Sequence, residues 1–251
     1  MPGDDISHLL NAWPFDPKRT TVRLIEGEDG RPKLQIRVLL GVLQLEVTGR
    51  PDGVRPDGAE SLLALHRERL SRYEEATGGV EGFVLSPDDC RALRDEAALF
   101  HHRYVGLFVL EDYEGVIRDA THNLGILDLC RDFAATDEDR QALERFRPSI
   151  IMMRTRAQAT RAIAAGDTRG AIVHLDAGLQ ELRRALDDLG MGDRAEESNE
   201  MQLLRGMREA LVPQLPMSQR VELENRLRKA LEAENYELAA ILRDELRQMK
   251  E

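Results

Sequence analysis

Near the N-terminus apolar and polar positions alternate. Val22 and Leu24, then Leu34, Ile36 and Val38, then Leu43, Leu45 and Val47 are separated by Arg23, Gln35, Arg37, Gln44 and Glu46. A period of two places one apolar face on each strand. Asp29-Gly30 supplies a hairpin turn, because glycine accepts the positive φ required there, and Gly41 marks a second turn. Residues 1–58 therefore read as a small antiparallel β-meander with one wet face. Pro-Asp-Gly occurs twice between Gly49 and Gly58 and ends the sheet.

From Ala59 the period lengthens to that of a helix. Leu62, Leu65, Arg69, Leu70 and Tyr73 mark a first helix, placed to cover the apolar face of the sheet and stopped by Gly78-Gly79. Ser86-Pro87-Asp88-Asp89 is a helix start: Ser86 caps, Pro87 stands where its missing N–H costs nothing, and Asp89 reaches back to the cap. Leu93, Ala97, Phe100, Tyr104, Leu107 and Phe108 follow at helical spacing. After Glu111-Asp112-Tyr113, Ile117, Ala120, Leu124 and Leu127 carry the return helix of an antiparallel pair. A second pair runs from Pro148 to Ala165, turns at Gly166-Asp167, and returns through Ala171, Leu175, Leu179, Leu182 and Leu186. Its turn, Ala164-Ala165-Gly166-Asp167 followed by Ala171-Ile172, resembles that of tetratricopeptide-type pairs, but the turns at Asp112 and Asp167 are too far apart for the ~34-residue repeat. Residues 59–212 form a helical-hairpin body. The Pro213–Pro216 break separates it from residues 217–251. The fold class is mainly α, of the α+β type.

The last segment has two short helices around Asn235-Tyr236. Leu223, Leu227, Ala230 and Leu231 form one stripe, and Ala239, Leu242, Leu246 and Met249 the other. Helices this short are marginal in isolation, so the pair is expected to pack against a copy of itself or another protein's helices. The alternative is a terminal pair packed on its own domain. Its charges nearly cancel.

The run Leu223-x3-Leu227, then Ala230 to Leu246 through Tyr236-Glu237-Leu238-Ala239-Ala240-Ile241-Leu242-Arg243-Asp244, resembles the UVR motif. That motif ends UvrB, lies within UvrC, and occurs in the ClpC chaperone ATPase and in McsA, the activator of a protein arginine kinase. The resemblance implies an antiparallel hairpin that docks onto a second UVR hairpin or another partner, with Leu223, Leu227, Ala230, Leu231, Tyr236, Ala239, Leu242, Arg243 and Leu246 as its protein-binding residues. Asn235 stands where the family usually has an acidic residue. The likeness stops there. No P-loop, helicase motif, nuclease domain or cysteine-rich zinc site accompanies it. The front of the chain, including Asn11-Ala12-Trp13-Pro14-Phe15, is similar to that of bacterial proteins which also end in this motif.

Composition narrows the function classes. Of 251 residues 42% are hydrophobic, enough for a core, while aromatics at 4% and charged residues at 32% favour helices packed through Leu and Ala. A net charge of −11 opposes bulk binding to nucleic acid or an anionic membrane. Cys90 and Cys130 stand far apart in sequence with no CxxC pair, which makes neither a disulfide framework nor a zinc site. With no signal peptide and no membrane span, the chain reads as cytoplasmic.

Candidate chemistry is sparse. An antiparallel pair turning at Asp112 brings His102 level with His122, one turn from Asp119, yet hydrogen-bonded or solvated histidines explain these residues better, and no metal or other cofactor is assigned. Gly-x-Ser-x-Gly is absent. Cys90 lies in a first helical turn but beside Asp88 and Asp89, and reads as a structural thiol. The larger anomaly is charge: no acidic residue lies between Glu144 and Asp167, an interval holding Arg145, Arg147, Arg154, Arg156 and Arg161. Arg147, Arg154 and Arg161 recur every seven residues, making them candidates to grip phosphate or an acidic partner helix, against the alternative of bridges to glutamates on neighbouring helices. The functional expectation is a non-enzymatic adaptor, linked to excision repair or a chaperone–protease system. A DNA- or RNA-associated repair factor and an enzyme with an unfamiliar site are the alternatives.

Overall fold

A computed structural model describes residues 5–211, 219–233 and 236–248, with 219–223, 237 and 244–248 described in backbone only. The chain divides into two compact units, Met1–Arg208 and Glu209–Glu251. It is mainly helical, with one small antiparallel sheet.

The first unit opens with a short helix, α1 (Ser7–Ala12), and the strands β1 (Thr21–Glu26), β2 (Pro32–Val38) and β3 (Gly41–Glu46), paired in sequence order. Val22, Ile36 and Leu43 form one cross-strand row, and Leu24, Leu34 and Leu45 another. These are the apolar face expected from the alternation. The opposite face is not wet on the central strand. Lys33, Gln35 and Arg37 are each more than nine-tenths buried. Their polar groups are used locally: Arg23 Nε donates to Gln35 Oε1 (2.8 Å), Gln35 Nε2 donates to Gln44 Oε1 (2.8 Å), and Arg37 Nε donates to the Trp13 carbonyl (2.7 Å). The Arg23 guanidinium lies over the Trp13 ring. Stem packing and satisfied heads bury these polar chains without an apolar pattern.

Helix α2 (Leu62–Thr77) is capped by Ser61 and ends at Gly78, whose φ of 80° is the left-handed conformation glycine adopts at low cost. It packs on α3 (Pro87–Val109) and α4 (Tyr113–Phe133). The helix lying closely on the sheet is α3 rather than α2: a Cβ at Gly106 would stand 2.9 Å from Leu34 Cδ2 and 3.0 Å from Ile36 Cδ1. The capping box at Ser86 and Asp89 forms as the sequence predicts. At the far end of the α3–α4 pair, Cys90 and Cys130 share a hydrogen bond within one core cluster with Leu93 and Ile126. Burial pushes both thiols up, Cys130 to about 12, so they stay protonated and unreactive at neutral pH.

A short helix, α5 (Asp137–Gln141), leads to α6 (Arg147–Ala164) and α7 (Thr168–Asp188). Helices α6 and α7 form the second antiparallel pair, and α6 also packs along α4. The two turns share one device. Asp112 accepts from the Gly115 N–H (3.0 Å) and Asp167 from the Gly170 N–H (2.7 Å). Each glycine leaves room for the capping carboxylate. Helix α8 (Asn199–Leu211) follows, and the Pro213–Pro216 break lies outside the described residues. No helix among the described residues is long and apolar enough to cross a membrane.

Candidate functional site

The second unit contains α9 (Gln219–Glu232) and α10 (Tyr236–Gln248), packed on one another as a hairpin. Ala230, Ala239 and Leu242 are buried, with Leu227 partly buried against them. Facing alanines let the two backbones approach closely, and Leu242, at 1% exposure, is the large side chain that seals the contact.

Other apolar side chains stay outside this core. Leu231 is 50% exposed, Tyr236 68%, Leu238 38% and Ile241 56%. Leu231 is thus displaced from the inner stripe to which the sequence pattern assigned it: it follows Ala230 directly, and one helical step of about 100° carries it off the facing side. Leu238 and Ile241, three positions apart on α10, form a second apolar row beside Ala239 and Leu242. The sequence reading overlooked this row, although the same spacing signals it. Arg243 is exposed, whereas the side chains of Leu223 and Leu246, and residue Met249 altogether, lie outside the described residues.

The arginine interval of the first unit is not acid-free in space. Arg147 Nε and Nη2 bind Glu144 (2.6 and 2.8 Å), and its Nη1 donates to Asp128 (2.9 Å). Arg154 pairs with Glu181 of α7, and Arg161 Nη1 stands 3.3 Å from Glu114 of α4. Each of the three candidate arginines thus has a carboxylate of the same chain within bridging distance, as the alternative reading had it. Glu144 bounds the interval in sequence, while Asp128, Glu181 and Glu114 come from neighbouring helices.

The histidine constellation also resolves into packing. His122 stacks on Phe100 with ring centroids 3.7 Å apart and donates from Nε2 to Glu96 Oε1 (3.0 Å). Asp119 accepts from Arg103 Nε (2.6 Å) and Nη2 (2.8 Å), both side chains fully buried. Arg103 Nη1 donates to the carbonyls of Glu46 (2.9 Å) and Gly49 (2.7 Å). Glu96, equally buried, accepts from the Leu62 and Leu63 N–H groups (2.7 and 3.1 Å) and pairs with Arg50 Nε at 3.0 Å. Burial acts to raise the Glu96 pKa, but the donors from His122, Leu62 and Leu63 outweigh it and hold the carboxyl below its ordinary value. Every charge in this cluster is answered, which marks a structural clamp. No group of three or more His, Cys, Asp or Glu among the described residues is arranged to hold a metal ion.

On the C-terminal hairpin, Leu231, Tyr236 and Ile241 are at least half exposed. No curated protein and no solved structure matches the chain. Residues 219–251, the hairpin itself, match the family model of the UvrB/uvrC motif, as their residues led one to expect.

Proposed function

We propose that this protein is a non-enzymatic adaptor whose C-terminal hairpin docks a partner protein, either a second hairpin of the UVR type or its own copy. One observation carries the reading: among the described residues the hairpin packs Leu227, Ala230, Ala239 and Leu242 together, yet leaves Leu231 and Ile241 at least half exposed. Fully burying a side chain of this size is worth ~1.5–3 kcal/mol, so covering these half-exposed chains would contribute a part of the affinity and other contacts would supply the rest. The motif match supports the same reading and points to a partner in excision repair or in a chaperone–protease system. The internally bridged arginines and the net charge of −11 do not favour nucleic acid as the ligand.

The test compares the full chain with the double variant Leu231→Glu, Ile241→Glu. Both positions are at least half exposed, so the hairpin should keep its helicity by circular dichroism. Sedimentation equilibrium reads self-association, and quantitative mass spectrometry reads proteins retained from a cell lysate. Loss of the dimer or of a specific retained partner by tenfold or more is expected, since ~1.4 kcal/mol already corresponds to tenfold. Identical masses and identical retention for both proteins would overturn the reading.

A further inference from the structure

A recess of about 520 Å³ opens in the first unit between residues 15–20, the β2–β3 turn and α3. Its volume falls within the ~300–1,000 Å³ of small-molecule sites. Phe15, Ile36, Leu43 and Val105 give it an apolar side, and Lys18, Arg19 and Arg37 bring cations to its walls. Asp16 is the carboxylate among the lining residues, and Arg19 already bridges it at 3.1 Å. His101 and His102 complete the α3 side. Burial, with a smaller effect from His102, holds His101 below the ordinary imidazole range, so His101 adds no charge at pH 7.

Arg37 sets this recess apart. Among the described residues, the lysines and arginines more than nine-tenths buried are Lys33, Arg37 and Arg103. Lys33 meets Asp29 at 2.8 Å and also Glu46, and Arg103 meets Asp119. Arg37 meets carbonyl oxygens alone. Its Nε donates to Trp13 (2.7 Å), and its Nη1 to Val38, Leu39 (3.5 Å) and Gly41 (2.9 Å). Carbonyl dipoles offset a desolvated charge only in part, and a buried cation without its anion is the costly case. Nη2 donates to no described protein group and is not enclosed, so one donor nitrogen of the guanidinium is left for a ligand.

We propose that this recess binds a small organic phosphate monoester, with its anionic head on Arg37 Nη2 and the Lys18 ammonium and its apolar body against Phe15, Leu43 and Val105. Lys18 has no ion pair of its own among the described residues. A phosphate monoester carries a charge of about −1.5 to −2 at neutral pH, which balances these two cations as a single carboxylate would not. The site lies wholly within the first unit and does not depend on the docking reading of the hairpin.

Phenyl phosphate is the probe, titrated into the full ¹⁵N-labelled chain and followed by amide shifts. Saturable shifts at Arg37, Leu39 and Val105 are expected. Phenol keeps the ring without the head, inorganic phosphate the head without the ring, and each should bind about tenfold more weakly or worse. Arg37→Gln should abolish the shifts. Because Arg37 also holds the β2–β3 turn, Lys18→Glu at an exposed position supplies an independent arm. It should weaken phenyl phosphate by about tenfold or more and leave the melting temperature of the free protein unchanged. Any of three results overturns the proposal: no saturable binding of phenyl phosphate up to the millimolar range, equal affinity for phenol or for inorganic phosphate, or undiminished binding by Lys18→Glu.

Discussion

The α3–α4 pair and the α9–α10 pair are both antiparallel helical hairpins, yet they treat their side chains in opposite ways. In the first, even charged residues are buried, and each is matched: Arg103 by Asp119, Glu96 by His122, Arg50 and two backbone N–H groups. In the second, the described residues pack Leu227, Ala230, Ala239 and Leu242 together, while Leu231, Tyr236 and Ile241 are at least half exposed. The first hairpin uses its polar groups to fix its own fold, and on the proposed docking reading the second keeps apolar area for another protein. Helix content alone does not distinguish them. Burial and polar satisfaction do.

The contrast breaks most sharply at Asp119. Asp119→Ala would leave Arg103 buried and unpaired, with an expected loss of ~3–5 kcal/mol, read by urea denaturation followed at Trp13. A near-neutral result would mean that the clamp is wet and that the first hairpin is no more finished than the second.

Next comes Leu242→Ala, which removes a large, fully enclosed side chain of the hairpin core at ~2–5 kcal/mol. The α9–α10 helices should melt in circular dichroism while the main transition of the first unit stays in place. Loss of both transitions together would erase the distinction between a self-contained body and a separately folding hairpin.

A graded effect is expected with pH. The buried His66 has its pKa lowered, chiefly by burial, so the unfolded chain binds more protons, and stability should fall as pH drops below about 6.5. Glu96 is held below its ordinary value of 4.5, so its contribution is intact above that pH and is lost as pH falls through the lower, folded value. Melting temperature measured from pH 8 to 4 should therefore decline on the acid side. A curve that is flat or rises toward acid would contradict both assignments.

The smallest effect is reserved for Arg161→Ala. Its bridge to Glu114 joins two exposed side chains, and such pairs contribute ~0–1 kcal/mol. A shift in midpoint within this range is expected from urea melts, and a loss above 2 kcal/mol would show that the bridge belongs with the clamp.

Much of this architecture is legible in the sequence because local rules govern it. The alternation around Ile36 yields the meander, Ser86 and Asp89 make the capping box, and Tyr236 to Leu246 carries the hairpin signature. What escaped is non-local. Arg103 stands three positions after Phe100 and four before Leu107, inside an apolar stripe, and that misfit between residue type and position was the available signal for a buried ion pair. Its partner could be found only by knowing which helix comes opposite. The partners of the arginine interval are non-local in the same way, since Asp128, Glu181 and Glu114 approach from elsewhere in the chain. The sheet's second face was misjudged because Lys33, Gln35 and Arg37 look solvated until the Trp13 segment and the neighbouring side chains are set around them. Ile241 lies on α10 beside the inner stripe of Ala239 and Leu242, so the pattern of that stripe does not include it.

The reach of Arg103 also dictates an order of events during folding. Its bonds to Asp119 close a separation of 16 residues, whereas those to the Glu46 and Gly49 carbonyls span 57 and 54. Sealing β3 against α3 before Asp119 arrives would desolvate a guanidinium with only dipoles to receive it, and would also close the longer loop first. The economical route forms the α3–α4 pair early and lets the sheet dock onto a guanidinium already neutralised. The N-terminal meander, although synthesised first, is then the last part of its unit to acquire its final surroundings, and its strand edges wait on a helix that leaves the ribosome after them.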